Sequence, residues 1–223
     1  MNRQIEKFLF DNGANLIRFV DISALSVNQR QGFLKAVLFY IALSKEFIIS
    51  VRNGDKVEYD EFREKEQKTD ALADLLSEFL RHKGYNAYSQ SEKSHLENDK
   101  FDIKTQSSVL PHKTIARLAG IGYIGRNNLF IAEEFGCAFS MCTVLTIAPV
   151  ITENPPLVLS KCRECDICKR VCPTNAILGK DWEESTGRED IVDVFKCTCE
   201  CGYMCMMNCP QTLKYAMKSD IAV

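Results

Sequence analysis

Cysteine is the residue through which this chain can do chemistry. The 223 residues hold 11 of them, none before Cys137 and nine between Cys162 and Cys209. Thiolates bind soft metals, and such spacing in a reducing compartment reads as metal ligation rather than as disulfides. The first run is Cys162-x2-Cys165-x2-Cys168-x3-Cys172-Pro173. That is the spacing by which bacterial ferredoxins bind [4Fe–4S] clusters, the fourth Cys serving the other cluster of a pair. Three thiolates at this spacing wrap one loop around a single cubane, and Pro173 disfavours helix at Cys172, directing it away. A second array, Cys197, Cys199, Cys201-x3-Cys205-x3-Cys209-Pro210, also ends in Cys-Pro. Two such ends imply ligand exchange: Cys162, Cys165, Cys168 and Cys209 for one cluster, Cys172, Cys197, Cys201 and Cys205 for the other. Cys199 is then left over, with Cys197 its rival for the same position. Structural zinc takes two Cys pairs split by a long loop, so a triple x2 run argues for iron. Cys137 and Cys142 lie in strand-like stretches and read as buried small hydrophobes.

Composition sets the bounds on everything else. The chain is 46% hydrophobic and 26% charged, an ordinary globular balance. Its net charge of -2 supplies no basic field for nucleic acid, so no tight nucleic-acid binding is expected. No apolar run approaches the ~18–20 residues of a membrane span, and no membrane association is expected. The opening MNRQIEKFLFDNGANL lacks the apolar core of an export signal, which makes a cytoplasmic location the expectation.

The elements that must position the thiols divide into two parts. Residues 1–155 read as an α/β domain and residues 156–223 as a small cluster domain. A helix is expected over Arg3–Phe10 and a strand over Asn15–Val20. Ala36–Leu43 is an apolar run of strand length, consistent with burial on both faces. The periodicity predicts a long helix from about Tyr59 to Lys83, with Ala71, Leu72, Leu75, Leu76, Phe79 and Leu80 on its apolar stripe. Ser91–Thr105 reads as a loop. Pro111 opens a short helix, His112–Leu118, and strands follow at Asn128–Ala132 and Ala138–Ile147. Short helices are expected at Thr174–Leu178 and Gln211–Met217.

Gly120-x-Gly122-x-x-Gly125 matches the dinucleotide fingerprint as a string but not in context. That fingerprint needs a strand before it, a helix after it and an acid about 20 residues on. Here a helix precedes and a strand follows. The remaining readings are a helix end turning into a strand, or bare backbone that lets a flat cofactor approach.

From Leu110 to Ile131 (LPHKTIARLAGIGYIGRNNLFI), followed by the double cysteine array, the sequence resembles the epoxyqueuosine reductase family. The resemblance implies cobalamin fed by two [4Fe–4S] clusters, kinship with reductive dehalogenases, and an α+β fold. That fold would be a nitroreductase-like cobalamin domain followed by a ferredoxin-like one. Carried over residue by residue, it places Gly122, Tyr123, Gly125, Asn127 and Asn128, with Thr114 less strongly, at the corrinoid. Three departures qualify it. The family's catalytic Asp aligns near Gln106, which cannot donate a proton as a carboxylic acid does. Tyr123 stands where the family usually has Trp. The helical repeats that help the family hold tRNA have no counterpart before Val223. The resemblance therefore implies a short paralogue acting on an unknown small-molecule or protein substrate, with a ferredoxin or flavodoxin as electron donor. His112, beside the motif, is the candidate to supply the proton in place of the missing acid. The expected function is a cobalamin-dependent iron–sulfur reductase. The alternative is a ferredoxin-like electron carrier, or a reductive activator of a corrinoid partner protein.

Overall fold

Helices and strands alternate in the order α1 (Asn2–Asp11), β1 (Leu16–Asp21), α2 (Val27–Arg30), β2 (Lys35–Ala42), α3 (Lys45–Asn53), α4 (Glu61–His82), β3 (Ala87–Ser89) and α5 (Glu92–Glu97). They continue with β4 (Phe101–Asp102), β5 (Ser107–Ser108), α6 (His112–Leu118), β6 (Gly122–Ile124), β7 (Phe130–Ala132), β8 (Phe139–Thr146), α7 (Ile167–Arg170), α8 (Met204–Met207) and α9 (Pro210–Ala216). The structure, a computed structural model, describes residues 1–198 and 201–218, so Cys199 lies outside the described residues. The chain forms two compact units. Unit one comprises Met1–Ala42, Phe62–Gly120 and Phe139–Leu157; unit two comprises Leu43–Glu61, Ile121–Ala138 and Val158–Val223.

Unit one is built on an antiparallel four-stranded sheet in the order β1-β2-β8-β3. β2 is central and buried from Ala36 to Ile41 on both faces, which is why its sequence does not alternate. Val37 and Phe39 face a core with Ile5 and Leu9 of α1 and Leu72, Leu76 and Leu80 of α4. The apolar stripe of α4 is narrower than its periodicity implied. Ala71 is exposed, and Leu75 is 51% exposed. α6 packs against β1, β2 and β8 through its buried Ile115 and Ala116. The stretch expected as a loop at Ser91–Thr105 contains α5, capped when the Ser91 hydroxyl accepts the Ser94 N–H at 3.2 Å, and the short strand β4.

Unit two joins short helices to the cysteine-bearing loops, with Cys168 in α7 and Cys205 in α8. Ser44 caps α3 by accepting the Phe47 N–H at 3.1 Å, and the buried Glu61 carboxylate accepts both the Ser44 N–H and its hydroxyl, at 2.8 and 2.6 Å. α3 packs on α8 and α9. β6 and β7 form a hairpin in which Gly122 faces Ala132 and Ile124 faces Phe130. The helix expected at Thr174–Leu178 is instead a turn followed by a bridge between Ile177 and Val192. Asn175 sits at φ 51°, a left-handed conformation that no helix interior accepts. Pro210 opens α9 at the first helical position, as its sequence implied.

Candidate functional site: thiol clusters and a polar cavity

The thiol site of unit two starts from local backbone. Cys162 and Cys165 share a turn closed by the Cys165 N–H to the Cys162 carbonyl at 2.9 Å, and Cys168 follows on the first turn of α7. Cys209 lies immediately ahead of α9. These four thiols, with Tyr123, Asn127 and Arg126, line a cavity of about 130 Å3. Among the described residues, no three His, Cys, Asp or Glu side chains converge on a single-ion position. Four thiols lining one cavity are the donor set of a [4Fe–4S] cluster.

The second set is read from electrostatics. Burial first, then the neighbouring Cys201, Cys197, Cys168 and Cys172, pushes the Cys205 thiol up to about 12. Cys197 is raised by burial and then by Cys201 and Cys172. Cys168 is pushed up to about 11 by burial and then by Cys162 and Cys209. Each ionised thiol disfavours ionisation of its neighbours, so a bound cation would stabilise the set as thiolates. Cys172 runs the other way. Burial raises it, but the Thr174 hydroxyl and the amides of Thr174, Ala176 and Ile177 together outweigh burial and lower it. Cys209 is lowered to about 6, chiefly because Cys137 hydrogen-bonds to it.

The glycine stretch serves this same unit. A Cβ on Gly122 would run into the backbone of Ile131 and Ala132, so the missing side chain is what lets the two strands of the hairpin close. Asn127 accepts the Leu129 N–H at 3.2 Å and Asn128 takes the left-handed φ of 61° that the turn requires. Tyr123 and Asn127 line the thiol cavity; Gly122, Gly125 and Asn128 are not among its lining residues. Thr114 lies on α6 in unit one, apart from these in the chain. The glycine stretch turns a helix end into a strand, and the bare Gly122 lets the β6–β7 hairpin close. Sequence reasoning passed over Arg126. Its Nη1 donates to the carbonyls of Arg163 and Cys165 at 3.0 and 3.1 Å, fixing the loop that presents the first two thiols.

Unit one holds a second cavity, of about 380 Å3. His112, His95, Gln90, Asp70, Ser140 and Phe101 are among its lining residues. A buried relay sets its chemistry. Gln90 Nε2 donates to the Leu110 carbonyl at 3.0 Å, which turns Oε1 toward the Thr143 hydroxyl, and Thr143 donates to it. The Thr143 oxygen, its one proton spent, must accept from His112 Nδ1 at 2.9 Å. His112 is thus protonated at Nδ1, and Nε2 is its lone-pair nitrogen. By the same logic the second Gln90 N–H points to His95 Nε2 at 3.4 Å. Burial, then His95, lowers His112 to about 3. The ring is therefore held in its neutral form, with its Nδ1 proton engaged by Thr143. Gln106 does not reach this cavity. It is exposed in the turn between β4 and β5, where its Nε2 donates to the Ile103 carbonyl at 2.9 Å.

Comparison with known proteins agrees with the thiol geometry. Residues 155–178 match the family model of the 4Fe-4S binding domain. Epoxyqueuosine reductase of Staphylococcus aureus is 33% identical over 73 residues, 33% of this chain and 19% of that protein. The enzyme of Listeria monocytogenes is 32% identical over 83 residues, 35% of this chain and 21% of that protein. The matches thus span about a fifth of the length of these relatives. An epoxyqueuosine reductase solved with a tRNA-Tyr stem loop superposes with a TM-score of 0.59 at 14% identity, over 95% of this chain and 65% of that one. The catabolic reductive dehalogenase NpRdhA superposes with a TM-score of 0.67 at 18% identity, over 95% of this chain and 32% of that one. The chain is therefore similar in sequence to epoxyqueuosine reductases, shares a mixed α/β fold with them and with reductive dehalogenases, and carries a 4Fe-4S binding segment.

Proposed function

We propose that this protein is an iron–sulfur reductase that holds two [4Fe–4S] clusters in unit two and uses them to reduce a substrate by way of cobalamin. The observation that carries the reading is the thiol arrangement. Cys162, Cys165, Cys168 and Cys209 would hold one cluster around their shared cavity, and Cys172, Cys197, Cys201 and Cys205 the other. When bound, the clusters supply one-electron transfer, and the corrinoid a strongly reducing centre. The chain's own residues arrange the thiols: Arg126 pins the first loop, and the amides around Cys172 stabilise its thiolate.

Cobalamin enters by similarity. A reductive dehalogenase structure with a TM-score of 0.65 at 18% identity is described as B12-dependent. The residues that the resemblance places at the corrinoid, Gly122, Tyr123, Gly125, Asn127 and Asn128, lie on the β6–β7 hairpin and the turn within it, and Tyr123 and Asn127 line the thiol cavity; they would be its contacts, with Thr114 less strongly. No proton step is routed through the cofactor. We place the protein in a reducing, cytoplasmic compartment with a ferredoxin or flavodoxin donor. The sequence division into a cobalamin and substrate domain, residues 1–155, and a cluster domain, residues 156–223, is kept as a proposal, with Leu43–Glu61 and Ile121–Ala138 joining the compact unit that carries the cysteines. The unit-one cavity favours an enzyme over a simple electron carrier, which needs no such space. Anaerobic reconstitution with iron and sulfide, followed by titration with hydroxocobalamin, tests this reading. Two clusters and a corrinoid spectrum that changes on reduction support it. Two clusters with no corrinoid binding would make the protein an electron carrier with an added unit.

A further inference from the structure

The thiol of Cys137 belongs to neither ligand set, yet its surroundings are not those of an apolar filler. It is buried in unit two, in the loop just ahead of β8. Polar groups meet its sulfur from separate elements. Asn127, which lines the thiol cavity beside Cys209, accepts the Leu129 N–H through Oδ1 at 3.2 Å. That leaves its Nδ2 to donate to Cys137 Sγ at 3.8 Å. The Cys137 N–H donates to Thr212 Oγ1 at 3.1 Å, and the same oxygen lies 3.4 Å from Cys137 Sγ. Thr212 is fully buried on α9, the helix that follows Cys209. Gly136 allows the approach. At its φ of 61°, a Cβ would run into the backbone of Gln211 and Thr212. The loop is thus fitted onto the start of α9.

The donors and acceptors give the direction. Cys209 accepts from the amides of Gln211 and Thr212, from the Thr212 hydroxyl and from the Cys137 thiol. Cys137 in turn receives an N–H from Asn127, so its S–H is the proton its side chain has to give. The Met206 carbonyl, 3.9 Å from the sulfur, competes for it. A ligand thiolate is negatively charged, and charge-assisted hydrogen bonds are roughly twice as strong as neutral ones, so Cys209 is the better acceptor. We propose that Cys137 is a positioning residue for the cluster held by Cys162, Cys165, Cys168 and Cys209: its thiol, oriented by Asn127 and Thr212, donates to Cys209 and stabilises the reduced cluster. Hydrogen bonds to cluster sulfurs are one of the levers that set a reduction potential. On reduction the cluster takes up one electron from the donor, and the S–H proton stays on Cys137. The effect belongs to one cluster of the pair, which makes the other an internal reference. The inference rests on the two-cluster reading.

The test is a potentiometric titration with dithionite of the anaerobically reconstituted full chain, followed by electron paramagnetic resonance. Wild type, Cys137→Ala and Cys137→Ser are compared. Cys137→Ala is expected to keep about eight iron atoms per chain. One of its two midpoint potentials is expected to fall by a tenfold change in the one-electron equilibrium, about 59 mV, and the other to stay. Cys137→Ser, which restores a donor, is expected to recover most of that shift. Potentials unmoved or raised in Cys137→Ala overturn the inference, as does an equal shift of both. A shift in Cys137→Ser as large as in Cys137→Ala also overturns it, because the donor would then not matter. Loss of a cluster from both variants would make Cys137 a ligand or a packing residue, again overturning it. Loss from Cys137→Ala alone, with wild-type potentials in Cys137→Ser, supports the donor role. Wild-type protein without iron strikes the cluster reading and this inference with it; two clusters with unmoved potentials strike this inference alone.

Discussion

His112 shows how much a single environment decides. Its sequence position beside the glycine stretch made it the candidate acid. Its burial and its hydrogen bond to Thr143 hold the ring neutral. The sign of the pH effect follows. Unfolding returns the ring to the ordinary histidine value of 6.5, while in the fold burial lowers it to about 3. Between those values the unfolded chain binds the extra proton, so stability falls as pH drops through this window, by up to about 1.4 kcal/mol per pH unit from this group. Chemical denaturation from pH 7 to pH 4 is expected to show a shallower loss in His112→Gln than in the wild type. An equal slope in both would mean the ring titrates normally. At the thiols, Cys168→Ser is expected to cost one cluster and about four iron atoms per chain, and Cys199→Ser none, read by iron analysis of anaerobic protein. The 4Fe-4S binding segment was legible in the sequence because a cubane fixes the spacing of its cysteines within a few residues. The His112 relay was not. Gln90, His95, Leu110 and Thr143 come from separate elements, and no local pattern announces that they meet.

Among the elements, the β6–β7 hairpin links the glycine stretch to the thiols. Gly122→Val would press a branched side chain into the Ile131 backbone, an overpacking cost of about 3 kcal/mol. Because Tyr123 and Asn127 of this hairpin segment line the thiol cavity, the variant is expected to lose the cluster held there along with thermal stability. A variant with wild-type melting temperature and iron content would refute this role for the hairpin. Long or fully buried elements were readable from their patterns: β2 as an unbroken apolar run, α4 by its period, α6 by Pro111 ahead of it. The short ones were not. β6 is three residues beginning at a glycine, so no alternation could show it. The turn at Thr174–Leu178 depends on the left-handed Asn175 and on the distant partner Val192, and propensity alone favoured a helix there.

At the scale of the whole molecule, the charge balance bears on nucleic-acid binding. Residues 156–223 carry nine Lys/Arg against ten Asp/Glu, and the chain as a whole is at -2. Two oxidised clusters held by eight thiolates would make that balance more negative. Affinity for tRNA rests mainly on phosphate neutralisation, so the chain alone is expected to show no sub-micromolar tRNA binding at physiological salt. Tight binding in a filter or fluorescence assay would contradict this, and would bring its activity closer to that of the epoxyqueuosine reductase solved with a tRNA stem loop. The central claim, that the thiols of unit two hold two [4Fe–4S] clusters, is tested most directly by metal and sulfide analysis of protein purified without oxygen. The account predicts about eight iron and eight sulfide per chain, with an electron paramagnetic resonance signal of interacting reduced [4Fe–4S] clusters. Stoichiometric zinc with no iron or sulfide would contradict it.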